Sequence, residues 1–243
     1  MSLRNVTATA IFLCLSQWSF AFTQPDDAFD ERENKLADGP IPAAPEYLSR
    51  FTTRLRSAKD RVEILSRYSF LDPKHEVPQT LLEDAVVYYD TNLANIPNRN
   101  YLSVIDFSKN STKVRFFVVN MSTGAVWSMH VAHGKGSDVD HDGIAEKFSN
   151  VEGSNMSSLG VYLTAETYTG HNGYSLRLDG LSSTNSNARN RAIVVHGASY
   201  VNEINEIPGR SAGCPAVAHA NRDKLINQIK EGSVIYAGLS GEK

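Results

Sequence analysis

Cysteine is scarce in this sequence, with only Cys14 and Cys214 among 243 residues. Cys14 falls within an apolar run over residues 8–21 that ends in a small-x-small sequence. This pattern predicts a secretory signal peptide over residues 1–21, so that the exported chain keeps Cys214 alone. A single cysteine forms no internal disulfide, and a lone thiol in an oxidising compartment points to a chemical role. A buried structural cysteine is the competing interpretation.

Long hydrophobic runs are absent after residue 21, so we expect no membrane span once the signal is removed. Charge is nearly balanced, with 24 Lys and Arg against 27 Asp and Glu, which gives no reason to expect a nucleic-acid partner. The 7 histidines and 2 cysteines lack the spacing of a zinc site, and there is no Cys-x-x-Cys redox pair. The sequence therefore predicts no metal and no cofactor.

Three regions follow the predicted signal peptide. Residues 22–45 are rich in Asp, Glu, Asn and Pro and poor in aromatics, which is typical of a flexible linker. Residues 46–96 carry apolar positions at helical spacing over 46–68 and 78–93, and we interpret them as a helical annex. Residues 97–243 have a different sequence pattern, in which turn sequences separate short β-rich runs.

These runs predict a mainly β fold class. Their regular spacing favours an antiparallel sheet folded as a β-sandwich or barrel, with the helical annex at its N-terminal side. A C-terminal helix over 219–231 and a last strand over 233–237 complete the prediction. The other predicted strands are 101–106, 114–120, 125–132, 160–165, 175–178 and 193–195.

The stretch 192–217 holds the strongest candidate for chemistry. Residues 193–195 favour a buried strand that ends at His196, and Cys214 follows 18 residues later in a glycine-rich turn. An imidazole that meets a cysteine across a hairpin-like return can generate the thiolate, which is the form that attacks. Gly213 lacks a Cβ, so it lets a substrate carbonyl approach and permits a turn whose N–H groups face an oxyanion.

Other residues are candidates for the same cleft. His133 also follows a β-rich run and precedes a glycine, so it is either a rival partner for Cys214, a cleft residue or a strand-end cap. Arg191 and Arg210 lie near the two segments above, where an arginine can bind a substrate carboxylate or form an ordinary ion pair. Tyr168 lies in a glycine-rich loop and is a further candidate for substrate binding.

Asp138, Asp140 and Asp142 alternate ahead of a glycine, as at the start of a calcium-binding loop. The twelfth position from Asp138 is Ser149, where an EF-hand requires a glutamate. We interpret the run as a solvated acidic turn, and cation binding there stays an open question.

Taken together, seven segments resemble the murein L,D-transpeptidase catalytic-domain family, in the branch with a Ser-x-Gly-Cys-Pro motif. The resemblance covers roughly residues 101–237. It implies an L,D-transpeptidase-like β-sandwich or barrel, export to the periplasm or cell wall, and peptidoglycan stem peptides as substrates. The segments are 105–108, 131–134, 148–150, 157–160, 178–181, 191–200 and 209–215.

The same resemblance assigns roles to residues. It implies that Cys214 is the nucleophile and His196 its base, with the backbone carbonyl of Gly197 holding the imidazole in the useful tautomer. Backbone N–H groups of Gly213 and Cys214 would form the oxyanion hole, and Ser211 would shape the loop. The implied reaction passes through a thioacyl-enzyme to an amine of a second stem peptide or of a lipoprotein lysine.

Two departures from the widespread motif leave alternatives open. Ala212 replaces the histidine that usually precedes Gly-Cys, and Pro215 begins a segment without the usual Asn or Arg. An L,D-carboxypeptidase or endopeptidase with water as acceptor is the nearest alternative. A catalytically silent cell-wall-binding module is the other.

Overall fold

The computed structural model describes residues 41–52 and 57–241. The predicted signal peptide and the predicted linker up to residue 40 lie outside the described residues, as do positions 53–56 of the first predicted helix. Within the described ranges, no helix combines the length and the apolar character needed to cross a membrane.

Eight strands of the described chain form one sheet. They are β1 Tyr101–Asp106, β2 Phe116–Asn120, β3 Val126–Met129, β4 Gly160–Gly170, β5 Gly173–Gly180, β6 Val194–Ala198, β7 Ala216–Ala218 and β8 Val234–Gly238. Their spatial order is β3-β2-β1-β8-β4-β5-β6-β7. Bridges from Ala132 to Ala216 and from Gly134 to Ser211 join the segment after β3 to the β7 side, so the sheet nearly closes on itself. The mainly β class is confirmed.

The sheet is not antiparallel throughout, because β1 pairs with β8 and β6 pairs with β7 in parallel. The return from His196 to Cys214 is therefore a crossover loop over 199–215 and not a hairpin. β6 also continues past His196 to Ala198. The three-residue β7, placed between a proline and a helix, is too short to give a periodic strand signal.

In the part of the chain that the structure describes, three α-helices and two 3₁₀ turns accompany the sheet. A continuous helix over 46–68 is wrong, because Phe51 is extended with ψ 140°. A new helix begins after Ser57, whose hydroxyl accepts the Asp60 N–H at 3.2 Å as an N-cap. The helices are α1 Ala58–Arg67, α2 Gln79–Asn92 and α3 His219–Ile229, with 3₁₀ turns at Glu46–Arg50 and Leu93–Asn95.

Strand alternation divides the core of the sheet in two. Leu102 and Val104 of β1 pack in one core with residues of α1 and α2, whereas Ile105 packs in the other core with Leu225 of α3. The annex therefore shares its core with the sheet. Cys214 belongs to the second core, which fixes the turn that carries it.

Candidate active site

Cys214 lies in the turn before β7, and its side chain rests against the backbone of β6. The Val194 N–H donates to Sγ at 3.5 Å, and the thiol donates to the Ala192 carbonyl at 3.6 Å. Ala192 holds a φ of 55°, a left-handed conformation that costs energy in a residue with a Cβ. The sulfur is thus placed by two β6-side backbone groups, one of them strained.

His196 lies on β6, on the same face as Val194, because side chains alternate along a strand. It pairs in register with Ala216, two residues after Cys214. Its Nδ1 lies 3.1 Å from the Gly197 carbonyl oxygen. A carbonyl only accepts, so Nδ1 carries the hydrogen and Nε2 is the nitrogen able to take a proton. The structure therefore places the imidazole on β6 and the thiol in the turn that leads into the neighbouring β7.

The Ser211 hydroxyl stabilises the turn both as a hydrogen-bond donor and as an acceptor. It donates to the Cys214 carbonyl at 2.7 Å and accepts the Gly213 N–H at 3.1 Å. The Gly213 N–H is therefore used inside the turn. Of the two N–H groups implied for an oxyanion hole, that of Gly213 already donates to Ser211 Oγ.

Gly213 is required by both its conformation and its surroundings. Its φ is +122°, which favours glycine. A Cβ there would lie 2.7 Å from the Met156 carbonyl oxygen and 3.1 Å from the Arg191 guanidinium. The nucleophile turn thus packs directly on the loop that contains Met156.

Both arginines predicted to bind a carboxylate donate to backbone carbonyls in the structure. Arg191 is buried and donates to the carbonyls of Ser149 and Met156 at 2.7 and 2.6 Å, so it braces the loop beneath Gly213. Arg210 donates to the carbonyl of Asp138. Sequence proximity could not show these contacts with backbone carbonyls.

His133 is buried between two charged side chains. Arg115 Nη2 donates to its Nδ1 at 2.8 Å, and its Nε2 donates to Asp138 Oδ2 at 3.0 Å. Burial and the Arg115 charge outweigh the Asp138 bond and lower the pKa of His133 to about 4. Both ring nitrogens of His133 are therefore engaged by buried side chains.

The three alternating aspartates do gather, and their carboxylate oxygens lie within 4.8 Å of one another. Asp138 is buried, and its two oxygens accept from His133 and from the N–H groups of Asp142 and Gly143. Burial alone would raise the pKa of Asp138, but these bonds lower it to about 2. Asp138 therefore anchors the acidic turn from inside, while Asp140 and Asp142 face solvent.

Tyr168 belongs to the same face of the sheet as His196. It pairs with Ser175 across β4 and β5, and Ser175 pairs with His196 across β5 and β6. The guanidinium carbon of Arg177 lies 4.1 Å from the centre of the Tyr168 ring. The sequence analysis missed Arg177; its only signal was an arginine between two leucines in a β-rich run, which marks a strand position facing away from them.

A family model described as L,D-transpeptidase catalytic domain matches residues 73–237. No curated protein gives a significant match. Three solved structures are similar over part of the chain: an L,D-transpeptidase from Mycobacterium smegmatis, another from Xylanimonas cellulosilytica, and the helical cell shape determining protein Pgp2 from Campylobacter jejuni.

The M. smegmatis protein is 13% identical with a TM-score of 0.36, over 57% of this chain and 58% of that one. The X. cellulosilytica protein is 15% identical with a TM-score of 0.35, over 61% and 68%. The C. jejuni protein is 14% identical with a TM-score of 0.37, over 63% and 56%. This chain thus aligns with less than two thirds of the first and the last of them.

Proposed function

This chain belongs to the L,D-transpeptidase catalytic domain family, and on that premise we propose that it is an exported cysteine acyltransferase acting on peptidoglycan stem peptides. The observation that carries the proposal is the pairing of two strands. β6 presents an imidazole whose Nδ1 is fixed by the Gly197 carbonyl, and the turn into β7 holds Cys214 Sγ against the same strand. A carbonyl in this position does for His196 what the carboxylate does in a Ser-His-Asp triad.

In the proposed acylation, His196 Nε2 takes the proton of the Cys214 thiol. The thiolate then attacks the carbonyl carbon of the bond that joins the diamino acid of the donor stem to its terminal D-residue. The oxyanion of the tetrahedral intermediate accepts a hydrogen bond from the Cys214 N–H. The intermediate then collapses as the C–N bond breaks. The imidazolium returns its proton to the leaving amine, so a D-amino acid departs and a thioester remains on Cys214.

Transfer follows by the reverse proton movements. An amine of a second stem peptide, or of a lipoprotein lysine, loses a proton to His196 Nε2 as its nitrogen attacks the thioester carbon. The C–S bond breaks, the thiolate recovers the proton, and a new amide is released. Water in place of the amine would give an L,D-carboxypeptidase with the same residues.

The test is incubation of the mature protein with a tetrapeptide stem as donor, with and without a second stem as acceptor, followed by mass analysis of the products. We expect a cross-linked dimer and a released D-amino acid, and neither with Cys214→Ala. His75→Asn, at an exposed annex histidine with a φ of 55°, serves as the matched control and should behave as wild type. Asn tolerates that conformation.

The other outcomes separate the alternatives. Shortened stems without dimers would identify a hydrolase. Binding of the stem without any conversion, in wild type and Cys214→Ala alike, would overturn the enzymatic proposal and support the silent binding module motivated by Ala212 and Pro215.

A further inference from the structure

The hydroxyl of Ser157 connects two buried backbone segments beside the nucleophile turn. Ser157 is 1% exposed, and its Oγ accepts the Gly134 N–H at 3.0 Å. The same hydroxyl donates to the Gly213 carbonyl oxygen at 3.3 Å. A hydroxyl carries a single hydrogen, and the Gly134 N–H lies against one of its lone pairs. The hydrogen is therefore directed at the Gly213 carbonyl.

The Gly213 carbonyl belongs to the same peptide group as the Cys214 N–H. This peptide group is planar and trans, so its carbonyl and its N–H point in opposite directions. The Gly213 N–H, in the preceding peptide, donates to Ser211 Oγ, and the proposed oxyanion donor is the Cys214 N–H. Ser157 therefore holds one end of the peptide whose other end faces the reacting carbonyl in the proposed reaction.

A peptide group that follows glycine is easily misoriented. Gly213 has a φ of +122° and no Cβ, so rotation of the 213–214 peptide meets little steric resistance from residue 213 itself. The Ser211 hydroxyl accepts the Gly213 N–H and donates to the Cys214 carbonyl. These two bonds hold the peptides before and after the 213–214 unit, and the Ser157 bond holds the unit itself.

The Ser157 O–H, the Gly213 carbonyl and the Cys214 N–H form a series that an oxyanion would extend. Hydrogen bonds in series polarise one another, so an oxyanion that accepts the N–H makes the carbonyl a stronger acceptor. At 3.3 Å the Ser157 bond is longer than the usual O–H···O distance of about 2.8 Å, which leaves room for it to shorten as charge develops. An interaction that is stronger in the transition state than in the ground state accelerates the reaction.

We propose that Ser157 is a positioning residue, which orients and polarises the peptide that donates the Cys214 N–H to the oxyanion. This rests on the proposed function, because it assumes acyl transfer through a tetrahedral oxyanion. Sγ of Cys214 is placed by the backbone groups of Ala192 and Val194, with which Ser157 shares no printed bond in the chain of contacts above. Loss of the Ser157 hydroxyl therefore weakens acyl transfer and leaves the reactivity of the sulfur unchanged.

The test compares two reactions of Cys214, one that forms an oxyanion and one that does not. A carbapenem acylates the thiolate through a tetrahedral oxyanion, whereas iodoacetamide alkylates it by displacement of iodide at a saturated carbon. Ser157→Ala should slow acylation by about 10- to 100-fold and leave alkylation within about twofold of wild type, as intact mass over time measures. With a tetrapeptide donor stem, the loss should fall on kcat and leave KM near its wild-type value.

Two further variants separate the role of the hydroxyl from that of the fold. Ser157→Thr keeps a hydroxyl and should recover most of the acylation rate. Ser233→Ala removes another buried serine hydroxyl that donates to a backbone carbonyl, that of Ile229 at 2.7 Å, and should keep both rates at the wild-type level. Ser157→Ala removes one oxygen and creates no clash, so we expect all three variants to fold, which urea unfolding verifies.

Acylation at the wild-type rate in folded Ser157→Ala would overturn the inference and leave the proposed function intact. Equal slowing of acylation and alkylation would also overturn it, because Ser157 would then support the sulfur and not the oxyanion. A wild-type protein that iodoacetamide alkylates, but that neither the carbapenem nor the donor stem acylates, would overturn the proposed function and the inference with it.

Discussion

Two segments of this chain have the same local sequence pattern, a β-rich run followed by His-Gly, and the structure gives them opposite surroundings. His133 lies between Arg115 and Asp138, which engage both ring nitrogens. His196 bonds to a neutral backbone carbonyl through Nδ1. Charged partners on both sides hold a ring neutral and fixed, whereas a backbone carbonyl at Nδ1 sets the tautomer in which Nε2 is the nitrogen without a hydrogen. The partners, and not the local sequence, decide which histidine can act as a base.

The largest expected effect comes from removing each histidine in turn. His196→Ala should lower kcat/KM by about 10²- to 10⁴-fold, the range for loss of a general base, and leave the free energy of unfolding close to wild type. His133→Ala should leave kcat/KM close to wild type. It should lower the free energy of unfolding by about 3 kcal/mol, because it breaks a buried charged network. Stem-peptide kinetics and urea unfolding of both variants provide the measurement.

Near-wild-type turnover by His196→Ala, together with inactivity of a folded His133→Ala protein, would reverse the two roles. If His133→Ala does not fold, the next variant tests the same network with a smaller change.

Asp138→Asn should cost about 3 kcal/mol of stability, because it removes the charge that accepts from His133 and from the Gly143 N–H. Asp140→Asn is the matched control on the same turn, since Asp140 is exposed, and should change stability by less than about 0.5 kcal/mol. Equal effects of the two substitutions in urea unfolding would contradict the role of Asp138 as a buried anchor.

The difference between the histidines also predicts how stability depends on pH. The pKa of His133 falls from an ordinary 6.5 to about 4 on folding, so the unfolded chain binds more protons between these values. Stability is therefore complete above pH 6.5 and falls by roughly 3 kcal/mol as pH drops toward 4. Asp138, whose pKa falls from 3.8 to about 2, adds a further loss below pH 4. Unfolding free energies from pH 7 to 4 should lose much of this slope in a folded His133→Ala protein, and an unaltered slope there would assign it to other groups.

The sequence alone predicted those features of the fold and the site that a single short segment determines. The mainly β class, the long helices at residues 79–92 and 219–229, and the candidacy of Cys214 all follow from local patterns. The family model, which matches residues 73–237, agrees with the resemblance found from the motifs.

Side-chain partners could not be predicted in the same way. Arg191 and Arg177 are both buried arginines near the candidate site, yet one is taken by carbonyls of a distant loop and the other stacks on a tyrosine from the next strand. The parallel pairing of β6 with the three-residue β7 likewise depends on a 17-residue crossover loop. This loop has no periodic sequence pattern that would predict its path.

The smallest expected effect concerns the strained residue beside the sulfur. Ala192→Gly should raise the free energy of unfolding by up to about 1 kcal/mol, because glycine adopts its φ of 55° without penalty. Ala188→Gly is the matched control. Ala188 is a buried alanine nearby, and it is not among the described residues with positive φ. Glycine there should destabilise the protein. A loss of stability in Ala192→Gly, as in the control, would show that Ala192 stores no strain.

The central claim is that Cys214 is an activated nucleophile and that His196, not His133, activates it. Intact mass after brief incubation with a carbapenem tests this most directly, because its lactam carbonyl offers the thiolate an acyl donor. We predict one adduct per chain in wild type, none in Cys214→Ala, greatly slowed formation in His196→Ala, and formation at close to the wild-type rate in folded His133→Ala or Asp138→Asn. An adduct that persists in Cys214→Ala, or one that forms at the wild-type rate in His196→Ala, would contradict the account.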